Sequence, residues 1–441
     1  MKKIESTFIV LLAALSVFWL LAEGFPTSAF SSFASWRGLL YYSGIIAIGA
    51  MSGSLILSAR WKFLEPYLGG LDKMYRLHKW LGITGLVFSV VHWLSKQAPF
   101  WISPPTGPRP PHETPAAQAS AILNFFQNMK GPAEGLGNPG FYILILLVIL
   151  ALVKWFPYRY FFKTHRILAV VYLVLAFHSL VLMKFNYWET LLGASTGILL
   201  LAGTVAAFTS LFRQIGTSNR AFGKITGLKH HAGVEVVQID VKLASTWAGH
   251  SSGQFAFVTL HEKEGAHPFT ISSHWNGDGN LSFLVKNLGD YTAKLPGALK
   301  IGADVSVEGP YGEFKFENGK KRQIWIGAGI GITPFVARMT EIAAKPDGRA
   351  VDLFHATSVY EESAIAALRK DVEASGVKLH LFADKKNGRI DAEQICAAVP
   401  DWSEADIWFC GPSGFAQSLR AGFIAKGLSV DSFHAELFEM R

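Results

Sequence analysis

Six apolar stretches of about 20 residues each lie in the first half of the chain, and they constrain its fold more than any other feature. A helix needs about 20 predominantly apolar residues to cross the hydrocarbon core of a bilayer. The sequence therefore predicts an all-α membrane bundle of six helices with a lipid bilayer as its surroundings. The candidate spans are residues 4–22, 38–57, 75–95, 140–157, 163–183 and 188–212.

The first stretch also has the basic start and apolar centre of a signal peptide. No clear small-residue cleavage site follows it, and five further stretches come after it. These features favour a retained membrane helix, and the signal peptide stays an open alternative.

Basic residues predict the direction of the bundle, because cytoplasmic loops carry an excess of Lys and Arg. Residues 1–212 hold 16 Lys+Arg against 7 Asp+Glu, whereas the rest holds 25 against 26. With the N-terminus inside, eleven basic residues fall in inner segments and five in outer ones. We expect a multi-pass protein of the plasma (inner) membrane with both termini in the cytoplasm. Because the basic excess lies beside apolar spans and forms no solvated stripe, no nucleic-acid partner is indicated.

The segment 96–139 is expected to face outward. Its prolines and its lack of periodicity predict an irregular cover over the outer end of the bundle. Glu113 and Glu134 are its only carboxylates, so the segment gives little sign of a dedicated iron site.

Four histidines are confined to two of the predicted spans. His78 and His92 are separated by 14 residues in the third span, and His165 and His178 by 13 residues in the fifth. Ionisable groups inside a membrane are costly and usually face a partner or cofactor within the bundle. At about 1.5 Å per residue these separations correspond to about 21 and 20 Å, so facing helices would offer two imidazole pairs at two depths.

Imidazole is a common axial ligand of haem iron, and two stacked haems would suit two such depths. Zinc is a less natural interpretation, because each level offers two ligands and no carboxylate or thiolate. Histidines satisfied by neighbouring hydroxyl or backbone groups are the remaining alternative. The 13-residue step leaves His165 and His178 roughly 140° apart on an ideal helix, so we expect the fifth span to tilt, kink or rewind.

After Arg213 the pattern changes to short strands separated by Gly, Asn and Asp, which predicts a small antiparallel β-barrel. The stretch VKNLGDYT (285–292) places Lys286 before a glycine turn and two hydroxyls. Such a turn offers charge and backbone N–H groups to a phosphate, although an ordinary hairpin would look the same. The strands are 234–243, 254–260 and 281–287.

A second pattern follows, in which a strand leads through a glycine loop into a helix. Gly327, Gly329 and Gly331 would let the backbone approach a pyrophosphate at the helix N-terminus, but the spacing differs from the G-x-G-x-x-G fingerprint. Further strands alternate with helical stretches and predict a doubly wound α/β domain with ligands at the carboxyl ends of its strands. Cys396 and Cys410 are the only cysteines, which excludes a disulfide framework and a Cys-ligated iron–sulfur centre.

The histidine separations of 14 and 13 residues in two spans resemble those of the ferric reductase and NADPH oxidase family of transmembrane haem proteins. The resemblance implies two b-type haems, one between His78 and His165 and one between His92 and His178. Each inner histidine is followed by a base, Lys79 or Arg166. These cations would either pair with haem propionates or be present only because cytoplasmic ends of membrane helices are rich in basic residues. Both interpretations stay open.

HPFT (267–270) is similar to the flavin-binding motif of the same family, and VKNLGDYT resembles the flavin-phosphate segment of ferredoxin reductase-like barrels. The resemblance implies bound FAD, with Thr270 facing the reactive N5 edge. The residues implied for the isoalloxazine are His267, Pro268, Phe269 and Thr270, and Ser272 is a further implied cofactor-binding residue. Those implied for the phosphates are Lys286, Gly289, Tyr291 and Thr292.

The glycine loop, Thr333–Pro334 and Cys410–Gly411–Pro412 resemble the nicotinamide-nucleotide lobe of the ferredoxin reductase superfamily. HAELFEMR (434–441) resembles its tail, with Phe438 as the aromatic over the flavin. The resemblance thus implies Thr270, Cys410 and Phe438 as catalytic residues. NADPH is favoured over NADH by three basic residues, Lys385, Lys386 and Arg389, and NADH stays possible.

The resemblance implies three domains: a haem-binding membrane domain (1–213), an FAD-binding β-barrel (214–316) and an NAD(P)H-binding α/β domain (317–441). Electrons would pass from cytoplasmic NAD(P)H through FAD and both haems to an extracytoplasmic acceptor, which we expect to be a ferric or cupric chelate. O₂ as acceptor is one alternative. A haem-free membrane-anchored flavin or ferredoxin reductase and a redox-sensing transport protein are two others.

Overall fold

The structure is a computed structural model, and it describes residues 2–24, 32–102, 121–153, 155–156, 158–244, 247–262, 264–289, 291–317, 320–383 and 390–436. The chain divides into two compact units. The first consists of Met1–Leu64 and Lys73–Ile215, and the second of Glu65–Asp72 and Gly216–Arg441. The predicted boundaries at 213 and 316 stay predictions.

Helices account for nearly all of the described residues before 213. In chain order they are α1 (Lys2–Glu23), α2 (Ser32–Ser58), α3 (Glu65–Leu68), α4 (Leu71–Ile102), α5 (Ala121–Leu152), α6 (Tyr158–Leu182) and α7 (Leu191–Leu211). Five of them, α1, α2, α5, α6 and α7, are long and apolar enough to cross a membrane. The N-terminal domain is therefore helical, with about five apolar helices.

Helix α4 contains the third predicted span but is not among those five. It is 32 residues long and includes Asp72, Lys73 and Arg76 in its first turns. These charges lower the average hydropathy of the helix. The count of six membrane-spanning helices therefore stays a prediction.

The prediction of an irregular segment at 96–139 is wrong for its described part. Helix α4 continues to Ile102, and residues 121–139 already belong to α5. Pro132 and Pro139 lie inside that helix. Proline is tolerated in membrane helices, because neighbouring groups can satisfy the freed backbone carbonyls. Residues 103–120 lie outside the described part of the chain.

The helices of the first unit pack through apolar side chains with a few buried hydroxyls. The Ser52 hydroxyl on α2 lies 2.9 Å from the Tyr172 hydroxyl on α6. The Tyr172 hydroxyl also reaches the carbonyl oxygen of Leu200 on α7, at 3.3 Å. These bonds connect α2, α6 and α7 inside the bundle. A buried cluster around them includes Ile48, Leu144, Val148, Tyr172 and Leu200.

The second unit begins with a six-stranded antiparallel sheet in the order β4-β3-β6-β1-β2-β5. Its edge strands are also linked, because Ile271 bridges to Phe283 and the Ser272 N–H donates to the Ser282 carbonyl at 2.8 Å. The apolar face of the sheet is the core of this half. The strands are β1 (Arg220–His231), β2 (Val236–Leu243), β3 (Phe255–Thr259), β4 (His267–Thr270), β5 (Asn280–Lys286) and β6 (Asp304–Tyr311). A short helix, α8 (Leu295–Ala298), lies between β5 and β6 in the chain.

The unit continues with a five-stranded parallel sheet in the order β11-β10-β7-β8-β9. Apolar clusters cover both faces, one involving α9 and α10 and the other α11 and α12, as the predicted alternation of strands and helices requires. The strands are β7 (Arg322–Ala328), β8 (Ala350–Thr357), β9 (Lys378–Ala383), β10 (Asp406–Cys410) and β11 (Phe433–Ala435). The helices are α9 (Thr333–Ala344), α10 (Glu362–Ser375), α11 (Ala392–Ala398) and α12 (Ser413–Ala425).

Candidate functional site

The four histidines of the helical unit form two pairs. The ring centroids of His78 on α4 and His165 on α6 are 5.8 Å apart, and those of His92 and His178 are 6.2 Å apart. Two imidazoles that share a metal at about 2 Å from each ring nitrogen have centroids about 6 Å apart. Both pairs therefore have the spacing that a shared metal between two imidazoles requires.

Hydrogen bonds to backbone carbonyls orient two rings on α4. The His78 Nδ1 lies 2.8 Å from the Ser54 carbonyl oxygen, and the His92 Nδ1 lies 2.9 Å from that of Leu40. An Nδ1–H that donates to a carbonyl leaves Nε2 as the nitrogen with a lone pair, and this is the usual second contact of a metal-binding histidine. The Ser54 hydroxyl also lies 2.8 Å from the His78 Nδ1.

The two rings on α6 have different surroundings. The His178 Nδ1 lies 2.8 Å from the Ala133 carbonyl oxygen on α5. The His165 Nδ1 is buried and has no hydrogen-bond partner in the described part of the chain. Iron bound at Nε2 would leave this Nδ1 without a partner, so the atom itself is no argument for a haem. The spacing of the two pairs and the Nδ1 contacts of the other three rings fit bis-imidazole binding of haem.

Glycines on neighbouring helices lie against the rings of His92 and His178. Helix α6 is continuous α-helix from Tyr158 to Leu182, so the expected local rewinding does not appear as a change of helix type. Instead the His178 ring lies against Gly137 on α5, where a Cβ atom would stand 2.6 Å from Cε1. A Cβ atom on Gly44 would similarly stand 3.1 Å from the His92 Nδ1. Glycines on neighbouring helices thus make room for the second pair.

Replacing Gly137 with alanine is expected to displace the His178 ring, because the added methyl group cannot occupy that space. The Nδ1 bond to Ala133 and the spacing to His92 would both change. We expect a large loss of whatever haem His92 and His178 hold, measured as pyridine haemochrome per chain. Gly135→Ala on the same helix is the matched control, since no atom lies within 4 Å of its added Cβ. Equal haem content in the two variants would contradict this role of Gly137.

In the described residues no group of three or more His, Cys, Asp or Glu side chains is placed to hold a metal ion.

The two motifs predicted to bind flavin come together in the antiparallel sheet. The His267 ring at the start of β4 stacks on the Tyr291 ring at a centroid distance of 3.9 Å and an angle of 10°. Burial lowers the pKa of His267 and raises that of Tyr291 to about 12. The Tyr291 hydroxyl is buried without a hydrogen-bond partner in the described residues. An aromatic surface with a hydroxyl available for bonding is suited to a flat polar ring.

The other residues of these motifs lie at different depths. Thr270 pairs with Phe255 at the end of β4. Pro268 is exposed, Phe269 is half-buried and Ser272 is buried. Thr270 thus remains accessible to a ligand, whereas Ser272 serves the bond between the two edge strands.

The predicted phosphate donors are held by a local hydroxyl. The Thr292 Oγ1 accepts hydrogen bonds from the Leu288 and Gly289 N–H groups at 2.9 and 3.1 Å. Lys286 ends β5 just before this turn. Both N–H groups point at a single acceptor, as they would at a phosphate oxygen, but here that acceptor is the Thr292 hydroxyl. The phosphate role of these residues stays a prediction.

The glycine loop closes against the end of a second parallel strand. Gly331 lies so near Cys410 at the end of β10 that a Cβ atom would meet the Cys410 carbonyl oxygen. Gly329 has a left-handed backbone at φ 56°, and Gly411 packs its backbone against Ala328. Thr333 and Pro334 begin α9 directly after the loop. The carboxyl ends of β7 and β10 therefore meet at one edge, where ligands of such sheets bind.

Cys410 is buried, and burial together with the nearby Glu436 charge raises the pKa of its thiol well above the usual range. The thiol is therefore protonated, and no nucleophilic role follows from it. Sequence reasoning missed Glu436, a buried carboxyl group near Cys410 and Gly312. Pro412 precedes α12. Four other predicted residues lie outside the described part of the chain, namely Lys385, Lys386, Arg389 and Phe438.

Gly331→Ala is expected to weaken NADPH binding by at least about tenfold, because the new methyl group would separate the glycine loop from Cys410 and a misplaced loop loses hydrogen bonds to the ligand. Equilibrium titration with NADP⁺ under flavin-saturated conditions measures this effect. Gly414→Ala on α12 is the control, because its added Cβ meets no atom within 4 Å. Unchanged affinity in Gly331→Ala would exclude the loop from the nucleotide site.

Two separate regions of the chain match models of known protein families. The family model for the ferric reductase like transmembrane component matches residues 43–176, which include His78, His92 and His165 and end two residues before His178. The family model for an FAD-binding domain matches residues 228–315, which include HPFT and VKNLGDYT.

Curated relatives cover only part of the chain. A flavohemoprotein of Deinococcus radiodurans is 28% identical over 144 residues, which are 29% of this chain and 35% of that protein. An NADH-cytochrome b5 reductase 2 of Meyerozyma guilliermondii is 29% identical over 178 residues, 37% of this chain and 60% of that protein. The matches thus span about one third to three fifths of these relatives.

One solved structure is similar in fold over nearly the whole chain. The crystal structure of flavohemoglobin from Malassezia yamatoensis, with bound FAD and heme, has a TM-score of 0.50 at 16% identity and covers 99% of this chain and 98% of its own. At this identity the likeness concerns the fold alone. The two family matches confirm the resemblance inferred from the histidine spacing and HPFT: this chain carries a ferric reductase-like transmembrane component and an FAD-binding domain in one polypeptide.

Proposed function

We propose that the protein is a transmembrane reductase that takes electrons from cytoplasmic NAD(P)H and delivers them to an acceptor across the membrane. The observation that carries this proposal is the pair of facing imidazoles at two levels, with ring centroids 5.8 and 6.2 Å apart. Three of the four histidines lie within the ferric reductase-like region, which ends two residues before His178. When bound, FAD would exchange a hydride for single electrons, and two b-type haems would carry these electrons through the bundle.

The chain's own residues would bind and orient these groups. His78 and His165 would hold the inner haem, and His92 and His178 the outer one. The carbonyls of Ser54, Leu40 and Ala133 hold three of these rings by Nδ1, which fixes the tautomer that leaves Nε2 for iron. Close packing of apolar helices around the rings would exclude water from the path.

The sheet domains would arrange the two nucleotides. We propose that the six strands form the barrel of the FAD domain (214–316), which the bridge between Ile271 and Phe283 supports. His267 and Thr270 would meet the flavin ring, and Tyr291, which stacks on His267, would serve the flavin phosphates. The loop of Gly327, Gly329 and Gly331 would hold NADPH, in preference to NADH, within residues 317–441. The membrane domain would be residues 1–213.

We place the protein in the plasma (inner) membrane with both termini in the cytoplasm, as the positive-inside pattern favours. The acceptor would then be extracytoplasmic. Ferric or cupric chelates are our preferred class. Reduction of O₂ and a haem-free anchored reductase are the competing possibilities for the experiment below.

The deciding experiment is a pair of absorption spectra of the purified full chain under argon, oxidised and after NADPH addition, with haem and FAD quantified. We expect two b-type haems per chain that are reduced by NADPH only when FAD is present. Admitting air or a ferric chelate then identifies the acceptor by the rate of reoxidation. NADH in parallel gives the nucleotide preference. A colourless bundle with an active flavin would replace this function by that of the anchored reductase.

A further inference from the structure

A cavity of about 570 Å³ opens in the helical unit at the C-terminal end of α6. Leu180 to Met183 line it, and Lys130 on α5 lies three positions before Ala133, whose carbonyl holds the His178 ring. The lining of the cavity thus begins two residues after His178 along α6. Its volume lies in the range of roughly 300–1,000 Å³ that small-molecule sites occupy.

The wall of the cavity combines flat aromatic rings with hydrogen-bond donors. Its aromatic members include Phe126, Phe185 and Trp188, and its polar members include Gln127, Lys130 and Asn186. The lining residues of the cavity in the described part of the chain include no carboxylate, and the Glu23 carboxylate is bound to the lining residue Lys184.

The two lysines at the cavity differ in their surroundings. The Lys184 ammonium group donates to both carboxylate oxygens of Glu23, at 2.6 and 2.7 Å, and lies 4.6 Å from the Tyr41 ring centroid. Lys130 is exposed and brings a positive charge that this ion pair does not neutralise. The cavity thus offers a cation and amide groups beside aromatic rings.

We propose that this cavity binds the electron acceptor, and that the acceptor is a planar aromatic molecule with carbonyl or oxyanion groups. Aromatic walls favour stacking or edge contacts with a flat ring, and ammonium and amide donors favour its oxygen atoms. A quinone and a ferric chelate with an aromatic oxyanion ligand share this chemistry. The inference rests on the proposed function, because it makes the cavity at the C-terminal end of α6 the exit of the electron path.

The electron balance differs between the two sources. One NAD(P)H loses two electrons and one proton to become NAD(P)⁺. A quinone takes both electrons and two protons from its own side of the membrane to form the quinol. Alternatively, two ferric ions take one electron each and become ferrous, with no bond to carbon changed.

Two substitutions test the cavity in the full chain with haem and FAD bound. Lys130→Gln removes the cation, and Phe185→Leu removes a ring that is 50% exposed. Lys163→Gln, at the opposite end of α6, and Phe208→Leu, whose ring on α7 is 44% exposed, are the matched controls. The probes are 1,4-naphthoquinone, ferric tris-catecholate and, as a non-aromatic chelate, ferric EDTA. Calorimetric titration gives the Kd, and NADPH-supported reduction gives the KM.

We expect an aromatic probe to bind, with Kd and KM about tenfold higher in Lys130→Gln because a charge-assisted hydrogen bond is lost. Phe185→Leu should weaken the same probe by several-fold, and the controls should match the unsubstituted chain. The probe that binds more tightly identifies the source as quinone or chelate. Equal Kd values in all variants, binding of neither aromatic probe, or equal binding of ferric EDTA would each overturn the proposal.

Haem reduction by NADPH under argon needs no acceptor and separates the two proposals. Normal haem reduction in a chain that binds no aromatic probe would overturn the cavity proposal and leave the transmembrane reductase standing. Absent haem reduction in the unsubstituted chain would overturn the proposed function instead, and the calorimetric titration would still decide on the cavity.

Discussion

Replacing His165 with leucine is expected to lower the haem content from two per chain to one and to slow NADPH-driven acceptor reduction by roughly 100-fold or more. Leucine resembles imidazole in size but has no nitrogen to bind iron. His165 is the ring without an Nδ1 partner in the described part of the chain, so its removal breaks no protein hydrogen bond that would destabilise the bundle. The effect should therefore be on haem binding and not on folding.

The measurements are the pyridine haemochrome content and the extent of haem reduction under argon. His230→Leu is the control, because His230 is exposed on β1 in the other unit. It should keep both haems and the full rate. Two haems of unchanged spectrum in His165→Leu would show that the facing imidazoles do not bind them.

Replacing Asp352 with asparagine is expected to destabilise the parallel sheet by about 3 kcal/mol, because it removes a buried charge that contacts Arg322, Lys378 and His380. The Asp352 side chain is 3% exposed, and it lies 2.5 Å from Arg322 and 2.5 Å from His380. Arg322 retains a second partner, Asp401, at 3.0 Å. That contact is more exposed and would replace only part of the lost interaction.

This loss of stability should appear as a fall of roughly 10 °C in the midpoint of thermal unfolding. The fluorescence of the two buried indoles in the parallel sheet, Trp325 and Trp408, follows this transition. Asp304→Asn is the matched control, because the Asp304 side chain is 90% exposed in its pair with Lys224. An equal fall of the unfolding midpoint in the two variants would show that the buried Asp352 stabilises the sheet no more than an exposed carboxylate does.

The sequence predicted which histidines would meet but not how they meet. Their positions on two helices follow from the apolar pattern and helical rise, and the structure pairs them as predicted. The space for His178 comes from Gly137, which lies 41 positions away on another helix. The acceptors on Leu40 and Ala133 are backbone carbonyls, which any residue would supply, so no side-chain pattern marks them.

The nucleotide regions show a similar division. Strand periodicity predicted both sheets, because alternation and turn residues are local properties of the sequence. The hydrogen bond from the Gly289 N–H to the Thr292 hydroxyl depends on the turn geometry, which the sequence does not reveal. Because of this bond, an N–H group that was predicted to bind a phosphate already has a partner within the chain. The assignment of Glu65–Asp72 to the second unit was also not predicted. There the Glu65 carboxylate accepts from the Gly312 N–H at 2.7 Å, a contact across 247 positions that no local pattern reveals.

The two cysteines have a practical consequence for work on the intact membrane. Cys410 is buried and Cys396 is half-buried, and burial raises the pKa of both thiols, so maleimides should react with them slowly. The two natural cysteines should therefore interfere little with the labelling of an introduced cysteine. A single cysteine introduced at Lys130 should react with a membrane-impermeant reagent in intact cells, whereas one introduced at Lys163 should react only after the membrane is opened.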